Sequence, residues 1–245
     1  MVEKIFKSPR LVFKPFNQLT AEEQILLANS WSNPFNMRYN YESGDQLESI
    51  KHLSSLPEPT FQNPEDCYDW MYYRAVFSQS GDLIGSCRFG EYSQKSTHWD
   101  FGFNVLLKHW FKGYGAEMVA KIKELARENK VQHIRGGADK ENYGSYKAMI
   151  KNGFVFIGVD SDGDFEYDLD LSKASLSQEE INQNWQNHIE MTKQEFGEDK
   201  VQQLEANNKK IQEMVARIKA GEDEVTLVKK YFEELYGSIE DYDFR

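Results

Sequence analysis

Two runs of this chain combine residue types that could handle a phosphate-bearing ligand: Trp110-Phe111-Lys112-Gly113-Tyr114-Gly115-Ala116-Glu117 and, about thirty residues on, Asn142-Tyr143-Gly144-Ser145 closing on Lys151-Asn152-Gly153-Phe154. In the first, a Gly-x-Gly turn opens a helix, because Met118, Val119, Ile122, Leu125 and Ala126 then repeat at helical spacing. The first N–H groups of a helix find no partner within it and its N-terminal end is positive, so such a turn aims several donors at one anion. It reads as a cradle for a pyrophosphate. A dinucleotide-binding turn would need a third glycine and an acidic residue after the next strand, and Met118 stands where that glycine would be.

Positioning these runs takes a sheet. Arg10 to Phe16 has the look of a short first strand, and Thr20-Ala21-Glu22-Glu23 supplies an N-cap with Glu at the third helical position, ahead of a helix through Ile25, Leu26, Leu27 and Trp31. From Asn33 to Pro64, Asn-Pro, Ser-Gly and Pro-Glu-Pro punctuation predicts long loops and short helices. Tyr73–Phe77 and Leu83–Phe89, joined through Ser80-Gly81-Asp82, form an antiparallel hairpin. Trp99–Val105 is a strand running into the Gly-x-Gly turn; Val131–Arg135 is the next, a helix spans about 140–152, and Val155–Val159 and Phe165–Leu171 close the series. This order predicts the α/β class, an α+β mixed sheet with helices on its faces.

Beyond Leu171 the chain turns charge-rich and helical. Val201, Leu204, Asn208, Ile211, Val215 and Ile218 alternate at spacings of three and four, with Asn208 polar in the seam; Val225, Val228, Phe232 and Leu235 repeat the rhythm, and Ile181, Trp185, Ile189 and Phe196 make an earlier stripe. Three helices over about 177–196, 198–220 and 223–236 are expected, packed as a hairpin or small bundle. Either they cover the sheet domain or they form a dimerisation or partner-binding arm.

Composition narrows the function classes. The 245 residues, 40% hydrophobic and 14% aromatic, can bury one large core or two modest ones. A formal charge of −11 speaks against sequence-independent nucleic-acid binding, which draws its affinity from Lys and Arg on phosphates, and favours cationic ligands such as amines and basic peptides. The sequence has no signal-like or membrane-spanning apolar run, so a cytoplasmic protein with no membrane partner is expected. Cys67 and Cys87 lack metal-site spacing and read as core thiols, so no metal is expected. Trp31, Phe35, Tyr39, Tyr41, Trp70, Tyr72 and Tyr73 could line an acceptor pocket or simply pack.

From Gly81 to Phe154 the order of strand, turn, helix, strand and second helix, with its residues, resembles the GNAT superfamily of acyl-CoA N-acyltransferases. Asp100-Phe101-Gly102-Phe103 followed by His109 to Glu117 is similar to the E-x-G-Y … Y-W-G-K-G-Y-A-T-E stretch of the RimJ/RimL-like branch, and Arg10 to Phe16 is similar to that branch's first strand. The resemblance, which reaches from about residue 9 to 171, implies a GNAT fold, acetyl-CoA as cofactor and no metal. It implies that main-chain groups of Lys112, Gly113, Tyr114, Gly115 and Ala116 hold the coenzyme A pyrophosphate. It also implies that Asn104, Val105 and Leu106 pair with the pantetheine arm, one of their amides polarising the thioester carbonyl. Asn142 and Ser145, in the family's N-x-x-S … K-x-G-F pattern, are implied to hydrogen-bond the cofactor.

The chemistry so implied is direct acetyl transfer to a primary amine, a protein N-terminus or a small amine. The amine arrives as ammonium and must lose a proton, and Asp100 stands where many relatives carry Glu; Glu91, Tyr92 and His98 are weaker alternatives. Met149 occupies the place of the Tyr that protonates the leaving thiolate in many relatives, which leaves Ser145, Tyr146 or water for that task. The expected organisation is a GNAT domain over residues 1–172 and a helical appendage over 173–245, with a homodimer or a protein partner possible through residues 177–236. The alternative is a catalytically idle acyl-CoA-binding regulatory module whose helices engage a protein partner.

Overall fold

The computed structural model describes residues 5–32, 45–56, 71–91 and 98–236. Among these, β1 (Phe6–Lys7), β2 (Leu11–Pro15), β3 (Met71–Ser78), β4 (Leu83–Glu91), β5 (His98–Val105), β6 (His133–Ala138), β7 (Val155–Val159) and β8 (Phe165–Asp170) form one mixed sheet in the order β1-β2-β3-β4-β5-β6-β8-β7. Every neighbouring pair is antiparallel except β5 and β6. The hairpin of β3 and β4 lies where Ser80-Gly81-Asp82 predicts it. The two-residue β1 has no counterpart in the sequence reading, and β6 begins two residues later than expected and runs on to Ala138.

Side chains alternate across β5, so Trp99 and Phe101 enter one core while Asp100, Gly102 and Asn104 face the opposite side. That first core takes in α3 (Tyr114–Glu128) through Met118, Val119, Ile122, Leu125 and Ala126, the stripe visible in the sequence, and α4 (Tyr143–Lys151) through Tyr146, Met149 and Ile150. On the other face α1 (Ala21–Trp31) and α2 (Gln46–Ser55) bury Leu27, Trp31 and Ile50 against Ala75 and Phe77. Cys87 is buried in the first core, where loss of solvation pushes its thiol up to about 12; Cys67 lies outside the described residues.

Three C-terminal helices follow the sheet: α5 (Gln178–Phe196), α6 (Glu198–Lys219) and α7 (Glu224–Tyr236). α5 seats Trp185 and Phe196 on the first core and buries His188, which lies 4.8 Å from the Tyr146 ring. α6 then packs Ile211, Met214 and Val215 with Leu227, Val228, Tyr231 and Phe232 of α7 and with Leu107, in the short turn after β5. The heptad rhythm of α6 therefore serves two neighbours in succession. No helix among the described residues is long and apolar enough to cross a membrane.

Candidate active site

β5 is paired with β4 along its length, from Glu91–Trp99 to Gly85–Val105, but among the described residues with β6 only at His98–His133, Trp99–Ile134 and Asp100–Arg135. Beyond Asp100 the parallel pair splays. Leu106 N–H donates to the Ile84 carbonyl (2.8 Å), so by the alternation of an antiparallel ladder Asn104 and Gly102 also bond to β4. The N–H groups of Phe103 and Val105 then face the side from which β6 has withdrawn, beyond the last β5–β6 pair at Asp100–Arg135. A cavity of about 610 Å³ fills this opening, lined by β5 from Asp100 to Val105, by Gly137 and Ala138 of β6, and by the starts of α3 and α4.

The start of α3 is the second wall. Gly113 adopts φ +79°, a left-handed conformation that glycine takes without strain, and gives the helix no side-chain cap. Gly115 sits so close to β5 that a Cβ there would lie 2.9 Å from Phe103 Cε2. The carbonyls of this turn are held instead: Arg10 Nη1 donates to Lys112 O (2.9 Å) and Lys219 Nζ to Trp110 O (2.8 Å). The N–H groups of Lys112, Gly113, Tyr114, Gly115 and Ala116 have no partner among the described residues, and Gly113, Tyr114, Gly115 and Ala116 line the cavity. Glu117 braces the turn, its carboxylate accepting from Ser8 Oγ and from Arg10 N and Nε. Burial alone would raise the Glu117 pKa, but these bonds outweigh it and hold the carboxyl below the usual range.

Asp100 lies on the cavity wall where the splay begins, half-buried, with Oδ1 accepting from the Phe101 N–H (3.1 Å). Burial raises its pKa, while Arg88, the Phe101 N–H, His98 and Arg135 pull against that rise without cancelling it. Arg88 lies over Gly102, Nε being 3.2 Å from where a Cβ would be, so this guanidinium shares the face of the sheet with Asp100. Burial also raises Glu91, but neither it nor His98 lines the cavity; Tyr92 lies outside the described residues.

Across the gap, Asn142 caps α4, its Oδ1 accepting from Ser145 N (3.3 Å), and both residues line the cavity. The Ser145 hydroxyl has no partner among the described residues. Met149 is 1% exposed and forms cavity wall. Tyr146 departs from expectation: it is 2% exposed, stacks on Trp185 (6.2 Å) and does not line the cavity, and burial drives its phenol far above the ordinary range. One residue's rotation about α4 separates it from Ser145. Leu106 departs likewise, since its amide is spent on Ile84 and its side chain packs in the core beneath α1. Asn104 lines the cavity with Oδ1 accepting from Ser86 N and Oγ, and Lys112 stands beside the cavity rather than on its wall.

Of the aromatic residues considered for an acceptor pocket, Trp31 is buried and donates to Ser86 Oγ (3.2 Å), Tyr73 packs on Phe16 and Tyr72 on Phe89; Phe35, Tyr39, Tyr41 and Trp70 lie outside the described residues. At or beside the site stand residues to which the sequence reading gave no site role: Arg10 and Arg88, and from α6 Asn208, Ile211 and Gln212. Arg10 and Glu117 are legible as a pair only once the first strand and α3 are known to touch. Among the described residues no cluster of His, Cys, Asp and Glu is placed to hold a metal ion.

A family model described as "Acetyltransferase (GNAT) domain" matches residues 10–155. Among solved structures, the chain is similar to a GNAT-family acetyltransferase from Bacillus anthracis, at 17% identity and TM-score 0.54, over 69% of this chain and 100% of that one. It is similar to a ribosomal-protein-alanine acetyltransferase from Vibrio fischeri at 12% identity and TM-score 0.54, covering 70% and 98% of the two chains. An acetyltransferase from Agrobacterium tumefaciens matches at 14% identity and TM-score 0.52, over 69% and 95%. At these identities the likeness is one of fold. No curated protein matches the sequence.

Proposed function

The chain belongs to the GNAT acetyltransferase family, and on that premise we propose that it moves an acetyl group from acetyl-CoA directly to a primary amine, a protein N-terminus or a small amine. One observation carries this reading: the unpaired edge of β5 and the unpartnered amides at the start of α3 open onto the same cavity. An edge strand with free N–H groups suits an arm that contains amides, and the helix start suits a diphosphate. The residues fit coenzyme A. A side chain at Gly115 would run into Phe103, so glycine there lets the helix start lie against β5 and brings the two donor sets together.

When bound, acetyl-CoA supplies an activated thioester. Asp100 takes the proton of the incoming ammonium, directly or through a water, and burial suits it by raising its affinity for that proton. As the amine nitrogen bonds to the acyl carbon, the N–H of Val105 or Phe103, in place of that of Leu106, faces the developing oxyanion. The carbon–sulfur bond then breaks, and Ser145 or water returns a proton to the sulfur, since Tyr146 is sealed away from the cavity and Met149 has none to give. Lys112, Gly113, Tyr114, Gly115 and Ala116 bind the diphosphate, and Asn142 and Asn104 border the arm.

Residues 1–172 form the acetyltransferase unit in this reading and 173–245 its appendage. The packing of α5 on the first core and of α6 on Leu107 favours a cover over a free dimerisation arm. An acidic surface, from a charge of −11, suits a cationic acceptor. The test is purified protein, acetyl-CoA and a panel of N-terminal peptides, polyamines and aminoglycosides, with release of free coenzyme A thiol followed. Release on at least one amine is expected. Tight acetyl-CoA binding with no release on any of them would overturn the enzyme in favour of an idle cofactor-binding module.

A further inference from the structure

The family match ends at residue 155, yet α6, which lies beyond it, reaches the cavity. Its face changes character at one turn. Val201 and Leu204 are buried in its first half and Ile211, Met214 and Val215 in its second, and between them the seam position is Asn208. A polar amide in a helix seam weakens packing relative to leucine, so its place there needs another reason. Asn208 is half-buried, lines the cavity and has no partner among the described residues; Gln212, one turn on along the same face, lines it too.

The helix is fastened on both banks of the opening. Lys200 Nζ donates to Glu141 Oε1 (3.0 Å), beside the start of α4, and Lys219 Nζ to Trp110 O (2.8 Å), beside the start of α3. A span pinned at these two points crosses the space between the two helix starts, where an arm laid along β5 would run. Each carboxamide offers two donor hydrogens and an acceptor oxygen, and pantetheine carries two amides separated by a two-carbon spacer.

We infer that α6 forms the roof of the coenzyme A site and that Asn208 and Gln212 hydrogen-bond the pantetheine amides. This rests on the acetyl-CoA reading above and extends it to a helix outside the family's domain. At the far end of α6, Lys219 lies near enough to Lys112 for the neighbouring charge, with burial, to lower its pKa. The roof thus brings a second cation to the diphosphate end of the site.

The test is calorimetric titration of the full chain and of Asn208→Leu, Gln212→Leu and the double variant. Two probes are used, acetyl-CoA and its nucleotide fragment without the pantetheine arm. Leucine keeps helix propensity and suits the seam, so melting temperatures are expected to hold or rise. Acetyl-CoA affinity should fall about fivefold in each single variant and more than tenfold in the double, with the nucleotide fragment unaffected. Variants that bind acetyl-CoA within twofold of the unsubstituted chain would overturn the inference and leave the proposed function intact. Equal losses for both probes would overturn the pantetheine assignment. An unsubstituted chain that binds no acetyl-CoA would overturn the proposed function and this inference with it. Should Asn208→Leu fail to fold, exposed Gln212 carries the comparison alone.

Discussion

The starts of α5 and α3 are the same kind of place treated in opposite ways. At α5, Ser177 accepts from the N–H of Glu180 while Glu180 accepts from that of Ser177, so the helix end is closed by its own side chains, and the helix it opens buries His188 among aromatic rings. At α3, Gly113 closes nothing, and the amides that follow are left facing a cavity. Side-chain capping contributes about 1 kcal/mol, a stabilisation that α3 forgoes and an anion can restore. One end is sealed by its own side chains and the other, in the proposed function, is left open for the diphosphate.

Making the α3 start resemble that of α5 breaks the contrast most severely. Gly113→Asp places a carboxylate on the cradle, where Asp tolerates the left-handed backbone. Acetyl-CoA affinity should drop about 1000-fold by titration, since a like charge at contact distance costs about 4 kcal/mol at the effective dielectric of a protein surface. The melting temperature should move little, as the new side chain caps the helix.

On the sealed side, acid is the probe. Burial depresses the His188 pKa from 6.5 to about 4, so below about pH 6.5 the unfolded chain takes up a proton that the folded one refuses. The contribution is whole above that range and drains away as pH falls toward 4, by up to about 3 kcal/mol. Denaturant titrations at pH 7 and pH 4 measure it, and His188→Phe should flatten part of the difference. Were the slope unchanged in that variant, α5 would not be the dry element described.

The open side should answer to chemistry rather than stability. Asp100→Asn is expected to slow acetyl transfer about 100-fold while acetyl-CoA affinity stays within twofold. In the unsubstituted chain the acid limb of the rate profile should lie above the ordinary carboxylate range, because burial raises Asp100, and the variant should lose that limb. The smallest effect belongs to Ser177→Ala: about 1 kcal/mol, or about 3 °C of melting temperature, with cofactor binding untouched.

Much of this was legible in the residues. The Gly-x-Gly turn, the stripe from Met118 to Ala126, Asn142 with Ser145, and the strand bearing Asp100 are local features, and local patterns report local structure. Three other features were not legible, each for a reason of distance. Leu106 and Val105 differ only in which edge of β5 their amides face, and that depends on the register with β4. Tyr146 adjoins Ser145, but helical rotation sends it beneath Trp185. Asn208 shows in the sequence only as a polar residue in a helix seam, whereas its neighbour is the cavity. A seam shows that a helix is covered and says nothing of what covers it.

Among the described residues three pairs, from His98–His133 to Asp100–Arg135, stitch the β1-to-β5 leaf of the sheet to the β6-to-β8 leaf. So short a hinge bends more readily than the ladders on either side, which run to six pairs or more at β3–β4, β4–β5 and β6–β8. On the proposed function, acetyl-CoA in the gap would act as a wedge, bonding to one leaf along β5 and to the other through α4, so that filling it would stiffen the molecule as a whole.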